Sequence, residues 1–230
     1  MILIRYANAN MQALFKSLKT TVPCLLVFLL LSGCLARPLV KKTDDARHRA
    51  QNKIIERQVI QKARTGDWLV TRGYHATDNL VANATGIPIS HVAVFNAEKR
   101  QVIEAKGTGV QLTGLPGFVD KSYRLLIIRP RWQNDKNGPL AWKKALKLVG
   151  RDYDFLGTIG FNYPKRFYCS ELAVSIYKPW FNGKEKFPKV IKPGEMYLYG
   201  RVLYDSLPRD EGTSVFSSST FNYALNSKGY

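Results

Sequence analysis

The chain has 230 residues, 45% hydrophobic and 12% aromatic, which suffices to close a core and excludes an intrinsically disordered protein. Thirty-five Lys and Arg against 17 Asp and Glu give a formal net charge of +18, a balance that favours anionic partners such as phospholipid head groups, lipopolysaccharide or cell-wall carboxylates. Three cysteines are too few for a disulfide framework, and the sequence has no Cys/His cluster with metal-ligand spacing and no glycine motif for a dinucleotide or phosphate, so no metal or other cofactor is expected.

Residues 22 to 33, VPCLLVFLLLSG, form a short apolar run preceded by Arg5, Lys16 and Lys19 and by no acid. This is the layout of a secretory signal, and the run falls short of the roughly 20 apolar residues that span a bilayer. Met11 offers a second start that would leave a compact signal. The run ends in Leu31-Ser32-Gly33-Cys34, which resembles the bacterial lipobox, where cleavage precedes a cysteine that carries diacylglycerol. The expectation is a signal over residues 1–33, lost together with Cys24, and a lipid anchor on Cys34; an uncleaved apolar anchor is the alternative. Either way the remainder is extracytoplasmic. Leu35 and Ala36 after the anchor, with no Asp, point to an outer membrane and a domain facing the periplasm, where nucleic acid is not an expected partner. Less the three cations of the signal, the mature chain keeps +15. Cys169 is then its sole thiol, either buried and inert or kept for reactivity.

Residues 34–65 begin as a tether and become a helix, with Ile54, Ile55, Val59 and Ile60 at helical spacing and a stop before Gly66. The helix is expected to pack on the following domain, its charged face solvated. From Asp67 the period changes to short β-type runs, DWLVTR, SHVAVF, RQVIEAK, GVQLT and YRLLIIRP, punctuated by Gly, Pro and Asn. A helix, PLAWKKALKLVG, follows, then a loop rich in Gly and aromatics to Arg166, a helix opened by Cys169, and a last β-type stretch, EMYLYGRVLYDS. The order predicts an α+β fold with an antiparallel sheet packed against helices over residues 66–208. Residues 209–230, rich in Ser, Thr and Asn, are expected to be a poorly ordered tail.

A nucleophilic cysteine needs a base, an orienter for that base, and donors for the oxyanion. Of three histidines, His48 falls in the charged helix, His75 in the polar loop RGYHATDN, and His91 at the start of a strand, where catalytic geometry can be held. Glu104 lies on the next strand, and a hairpin turning at residues 96 to 100 sets it about opposite Ser90 to Val92. Its neighbours Val102, Ile103 and Ala105 make an apolar run that an idle Glu would avoid. Singly, each residue has a plainer reading: a core cysteine, a structural histidine, an edge glutamate. Lys165 and Arg166, close to Cys169 in sequence, are either solvated charge or readers of a substrate carboxylate or phosphate.

The ordered set GDWLVTRG, ISHVAVF, QVIEAKGTGVQLTGL, GRDYDFLG, FYCSELAVSIY and IKPGEMY resembles the permuted papain-like amidases related to NlpC, the YiiX and YaeF group, from about Gly66 to Tyr204. The resemblance implies a circularly permuted papain-like fold in which histidine and polar partner precede the cysteine. It makes Cys169 the nucleophile, His91 the base and then acid, and Glu104 the orienter. Tyr153, in GRDYDFLG, matches a tyrosine that helps form the oxyanion site, with a packing aromatic as its other reading. The implied activity is hydrolysis of an amide or peptide bond, in the cell wall for a chain with this address. A lipid esterase or acyltransferase on the same triad, as in the related lecithin:retinol acyltransferases, and a binding lipoprotein that kept the fold are the alternatives.

Overall fold

The computed structural model describes residues 40–209. The signal, Cys34 and residues 210–230 lie outside the described residues. Among those described, no helix is long and apolar enough to cross a membrane.

Strands β1 (Trp68–Gly73), β2 (His91–Asn96), β3 (Gln101–Lys106), β4 (Gly109–Gly114), β5 (Ser122–Pro130) and β6 (Gly200–Asp205) form one sheet in the order β4-β3-β2-β1-β5-β6. Every neighbouring pair is antiparallel. The central strand β1 is buried at all six positions, so its sequence is a continuous run without alternation, whereas the edge strand β4 opens to solvent along its second half. The fold is α+β with an antiparallel sheet covered by helices, as the pattern of runs predicts.

Helices cover both faces. On one, Ile55, Val59 and Ala63 from and just beyond α1 (Ala46–Lys62) and Phe118 and Val119 from α3 (Leu115–Asp120) meet Leu69, Ala93, Phe95, Val102, Leu125 and Ile127. On the other, α4 (Asn137–Leu146) and α5 (Cys169–Ser175) pack on Trp68, Val70, Val92, Val94 and Ile103. The alternation of side chains along β1 and β2 deals the apolar set evenly to the two cores.

Two long-range hydrogen bonds fix α5 and the turn after it to β1 and the residues that lead into it. Trp68 Nε1 donates to the Ala173 carbonyl at 3.1 Å, and Tyr177 Oη donates to the Gly66 carbonyl at 2.7 Å. Both donors are fully buried, where an unmade bond would cost about 1–3 kcal/mol.

Three elements differ from the expectation. His75 does not sit in a loop: it is the N-cap of α2 (Ala76–Thr85), whose Asp78 accepts the His75 N–H at 2.9 Å. Thr, Asp and Asn in that stretch read as turn chemistry, yet here they cap and line a helix. The stretch EMYLYGRVLYDS is strand only from Gly200, because Pro193–Tyr199 forms a 3-10 helix. The first residue of the expected tail is described and is held in place: Arg209 is buried, donating to the carbonyls of Ser122, Val119 and His48.

Candidate active site

The site lies at the end of the sheet where β1 finishes and β2 begins. His91 is the first residue of β2, one position after Ser90, whose hydroxyl donates to Asp78 Oδ1 at 2.5 Å and accepts the Gly73 N–H at 3.2 Å. These bonds tie the start of β2 to α2 and to the end of β1. The β2–β3 hairpin closes at Asn96 and Gln101, so Glu104 pairs with Ala93, one residue further along β2 than the span estimated from the loop. Because the side-chain period is two, Glu104 still shares a face with His91.

The outcome is direct contact: His91 Nε2 lies 2.7 Å from Glu104 Oε2. That leaves Nδ1 for the thiol of Cys169, which interacts electrostatically with the imidazole and with the Val92 main chain. Glu104 is 1% exposed, and its second oxygen is filled by the Thr113 hydroxyl and the Lys106 ammonium, each at 2.5 Å. Lys106 and Thr113 were not singled out from the sequence. Lys106 shares a face with Glu104 at two-residue spacing, a visible signal, whereas Thr113 becomes its neighbour only through the β3–β4 register that pairs Val102 with Thr113.

Electrostatics follow from this packing. Burial disfavours the imidazolium, but the Cys169 thiolate and the Glu104 carboxylate outweigh it and raise His91 to about 10. For Glu104 burial opposes ionisation, and His91, Lys106 and Thr113 reverse the balance, lowering it to about 2. Burial likewise pushes the Cys169 thiol up, while His91 above all, with the Val92 main chain, pulls it below its ordinary value. The three groups together favour a thiolate–imidazolium pair backed by a carboxylate.

Cys169 is 5% exposed, so the thiol stands at the floor of a cavity rather than on the surface. The cavity has a volume of about 470 Å³, and Cys169, His91, Glu104, Tyr153 and Phe118 are in its lining. Tyr153 is joined to Phe167 by a β-bridge, and burial with the nearby thiolate raises its phenol above the ordinary range, which keeps the hydroxyl a donor. The N–H of Cys169, at the first position of α5, has no acceptor in the preceding turn. The Tyr153 hydroxyl and this N–H are therefore two donors in the cavity that an oxyanion on the sulfur's substrate could meet.

The residues flanking the cysteine are clamped to one residue. Ser170 Oγ donates to the Ile191 carbonyl at 2.6 Å, and the Ile191 N–H donates to Tyr168 Oη at 3.1 Å. Asp154, next to Tyr153, is engaged elsewhere: its oxygens accept the Gly157 and Tyr163 N–H groups at 2.9 Å each. Lys165 and Arg166 do not line the cavity; Arg166 stacks over Tyr163 and faces Asp152. The lysines in the lining are Lys106 and Lys121. His48, on α1, is fully buried beside Asp120 and does not line the cavity.

A family model described as permuted papain-like amidase enzyme, YaeF/YiiX, C92 family, matches residues 62–196. Five chains of solved structures also match; one is the crystal structure of metalloprotein YiiX from Escherichia coli O157:H7, DUF1105. It is 22% identical with a TM-score of 0.45, and the match covers 52% of this chain and 67% of that one. No curated protein matches.

Proposed function

Since the chain belongs to the permuted papain-like amidase family, and is therefore a papain-like cysteine hydrolase, we propose that Cys169, His91 and Glu104 are its catalytic triad and that it cleaves an amide or peptide bond through a thioester. The observation that carries this reading is the placement of His91 between Cys169 and Glu104 in the lining of one cavity.

The Cys169 thiolate adds to the substrate carbonyl carbon, and the oxyanion is met by the Cys169 N–H and the Tyr153 hydroxyl. His91, protonated at Nδ1, gives that proton to the leaving nitrogen as the C–N bond breaks, so an amine departs and a thioester remains. Water then attacks the thioester while His91 takes its proton, and the carboxylic acid product leaves with the thiolate restored. Glu104 holds Nε2–H throughout, which fixes the ring and supports its positive charge.

In this reading Cys34 carries the lipid, the domain faces the periplasm from an outer membrane, and the bond cut lies in cell-wall peptide. A second reading, cleavage of a lipid ester on the same triad, is favoured by the apolar residues Leu80, Phe118 and Phe155 in the cavity lining.

Purified protein and Cys169→Ala are to be incubated in parallel with muropeptides and with phospholipid vesicles. New amines from the muropeptides, absent in the variant, are the expected result. Fatty acid release alone would favour the ester reading, and no product from either would favour a binding lipoprotein. Metabolic labelling with a clickable fatty acid checks the anchor, which should tag the wild type and spare Cys34→Ala.

A further inference from the structure

Between Tyr153 and Phe167 the chain presents an unusual surface. Phe155, Ile159 and Phe161 are 64%, 66% and 63% exposed, and Leu156 and Tyr163 are exposed beside them. Such a density of large apolar side chains in nine residues is uncommon on a soluble surface and marks a contact.

The exposure is built in. Asp154, 1% exposed, holds the Gly157 and Tyr163 N–H groups from inside, and so sets the loop in a shape that turns its apolar side chains outward. Gly160 takes φ +93 and lies against the Lys189 stem, where a Cβ would approach Lys189 to 3.1 Å. The surface is continuous with the cavity, since Phe155 lines it and Leu80, on α2 and 69% exposed, lines it too.

Charge selects the partner. Lys189 lies over the Phe161 ring at 5.3 Å and Arg166 over the Tyr163 ring at 5.6 Å, with Lys165 adjacent. Among the described residues neither Lys165 nor Lys189 has a carboxylate partner, and Arg166 faces only the exposed Asp152 at 3.7 Å. Aromatic rings interleaved with cations match the headgroup level of an anionic membrane, where the rings enter the interface and the cations meet phosphates. A protein groove would satisfy the apolar residues but has no stated need for three surrounding cations.

We propose that the rim segment of residues 155–163, with Lys165, Arg166 and Lys189, docks on an anionic phospholipid bilayer and opens the mouth of the cavity at the lipid surface. Docking does not depend on which bond Cys169 cuts, nor on the lipid at Cys34, which would tether the chain without orienting it.

The full chain carrying Phe161→Trp, and separately Leu140→Trp, is to be mixed with vesicles of phosphatidylethanolamine and phosphatidylglycerol with brominated acyl chains. Leu140 is exposed on α4, beside Gly138, which abuts Thr65 at the opposite end of β1 from the cavity. Its variant reports a tethered but undocked domain. With the emission of the four native tryptophans, measured on the unsubstituted chain under the same conditions, subtracted, the expected result is severalfold stronger quenching at position 161 than at 140, reduced by Lys165→Glu with Lys189→Glu and in vesicles of phosphatidylcholine alone. Equal quenching at the two positions overturns the proposal, as does failure of the protein to float with the vesicles. A tryptophan at 161 that is blue-shifted but not quenched would mean that protein covers the rim, and equal quenching in phosphatidylcholine would overturn the anionic surface.

Discussion

The chain contains two histidine–carboxylate pairs that look alike at the level of a distance. His91 meets Glu104 at 2.7 Å in the cavity, and His48, on α1, meets Asp120 at 2.9 Å. What differs is the company. Asp120 also takes Asn52 at 3.0 Å and Lys42 at 2.7 Å, so three donors converge on one carboxylate and pin the start of α1 to the end of α3. Glu104 likewise takes Lys106 and Thr113, but the histidine it holds has its other nitrogen turned toward a thiol in a cavity large enough for a substrate. A buried histidine with a carboxylate is a structural clamp by default, and a reactive third group with access turns it into machinery.

The largest expected effect tests that asymmetry. His91→Ala should lower kcat/KM by about 10²–10⁴-fold and Cys169→Ala should abolish turnover, while Asp120→Asn leaves kcat/KM near the wild-type value. Steady-state kinetics on one amide substrate decides it, and matching losses in His91 and Asp120 variants would erase the distinction.

Glu104→Gln comes next, with an expected loss on the order of 10²-fold in kcat/KM and the fold retained by circular dichroism. A pH profile separates orienting from mere packing. The active pair needs ionised Cys169 and protonated His91, so the acid limb should lie below the ordinary thiol value of about 8.5 and the alkaline limb near 10. Removing the carboxylate charge should move the alkaline limb to lower pH. Stability follows with opposite signs for the two partners. His91, raised from 6.5 to about 10, contributes fully below 6.5 and loses its share as pH climbs through 10. Glu104, lowered from 4.5 to about 2, contributes fully above 4.5 and loses its share as pH falls through 2.

Tyr153→Phe should cost about tenfold or more in kcat with little change in Tm, because only a donor to the developing oxyanion is removed. A variant with wild-type kcat would leave Tyr153 as a packing aromatic. The smallest kinetic effect belongs to the other pair: His48→Ala should lower stability by about 1–3 kcal/mol in chemical denaturation and leave kinetics unmoved.

The sheet was legible because its strands are short β-branched runs cut by Gly, Pro and Asn, and the nearness of His91 and Glu104 because a hairpin turning at residues 96 to 100 sets their strands side by side; the shared face depends on the exact register, since a one-residue slip would turn Glu104 away and pairing with Ala93 puts it on the face of His91. α2 was not legible: its Thr, Asp and Asn serve equally in turns and in helix starts, and only packing beneath β1 decides between them. The partners of Glu104 divide the same way. Lys106 is two residues along the same strand, but Thr113 arrives through pairing of β3 with β4, which a linear reading does not carry. The exposure of Phe155, Ile159 and Phe161 was not legible for a different reason, since composition marks the loop as aromatic but not which way its rings face, and the buried Asp154 sets that.

The clamp on the flanks of Cys169 uses only the main chain of Ile191, its N–H toward Tyr168 and its carbonyl toward Ser170. Ile191 thereby holds the nucleophile in register without its side chain taking part in either bond. Val or Leu at position 191 would keep both bonds and most of the buried apolar contact that Ile191 makes in the core, whereas Pro, which removes the N–H, would break the bond to Tyr168 and so disturb the aim of the reactive sulfur through the main chain alone.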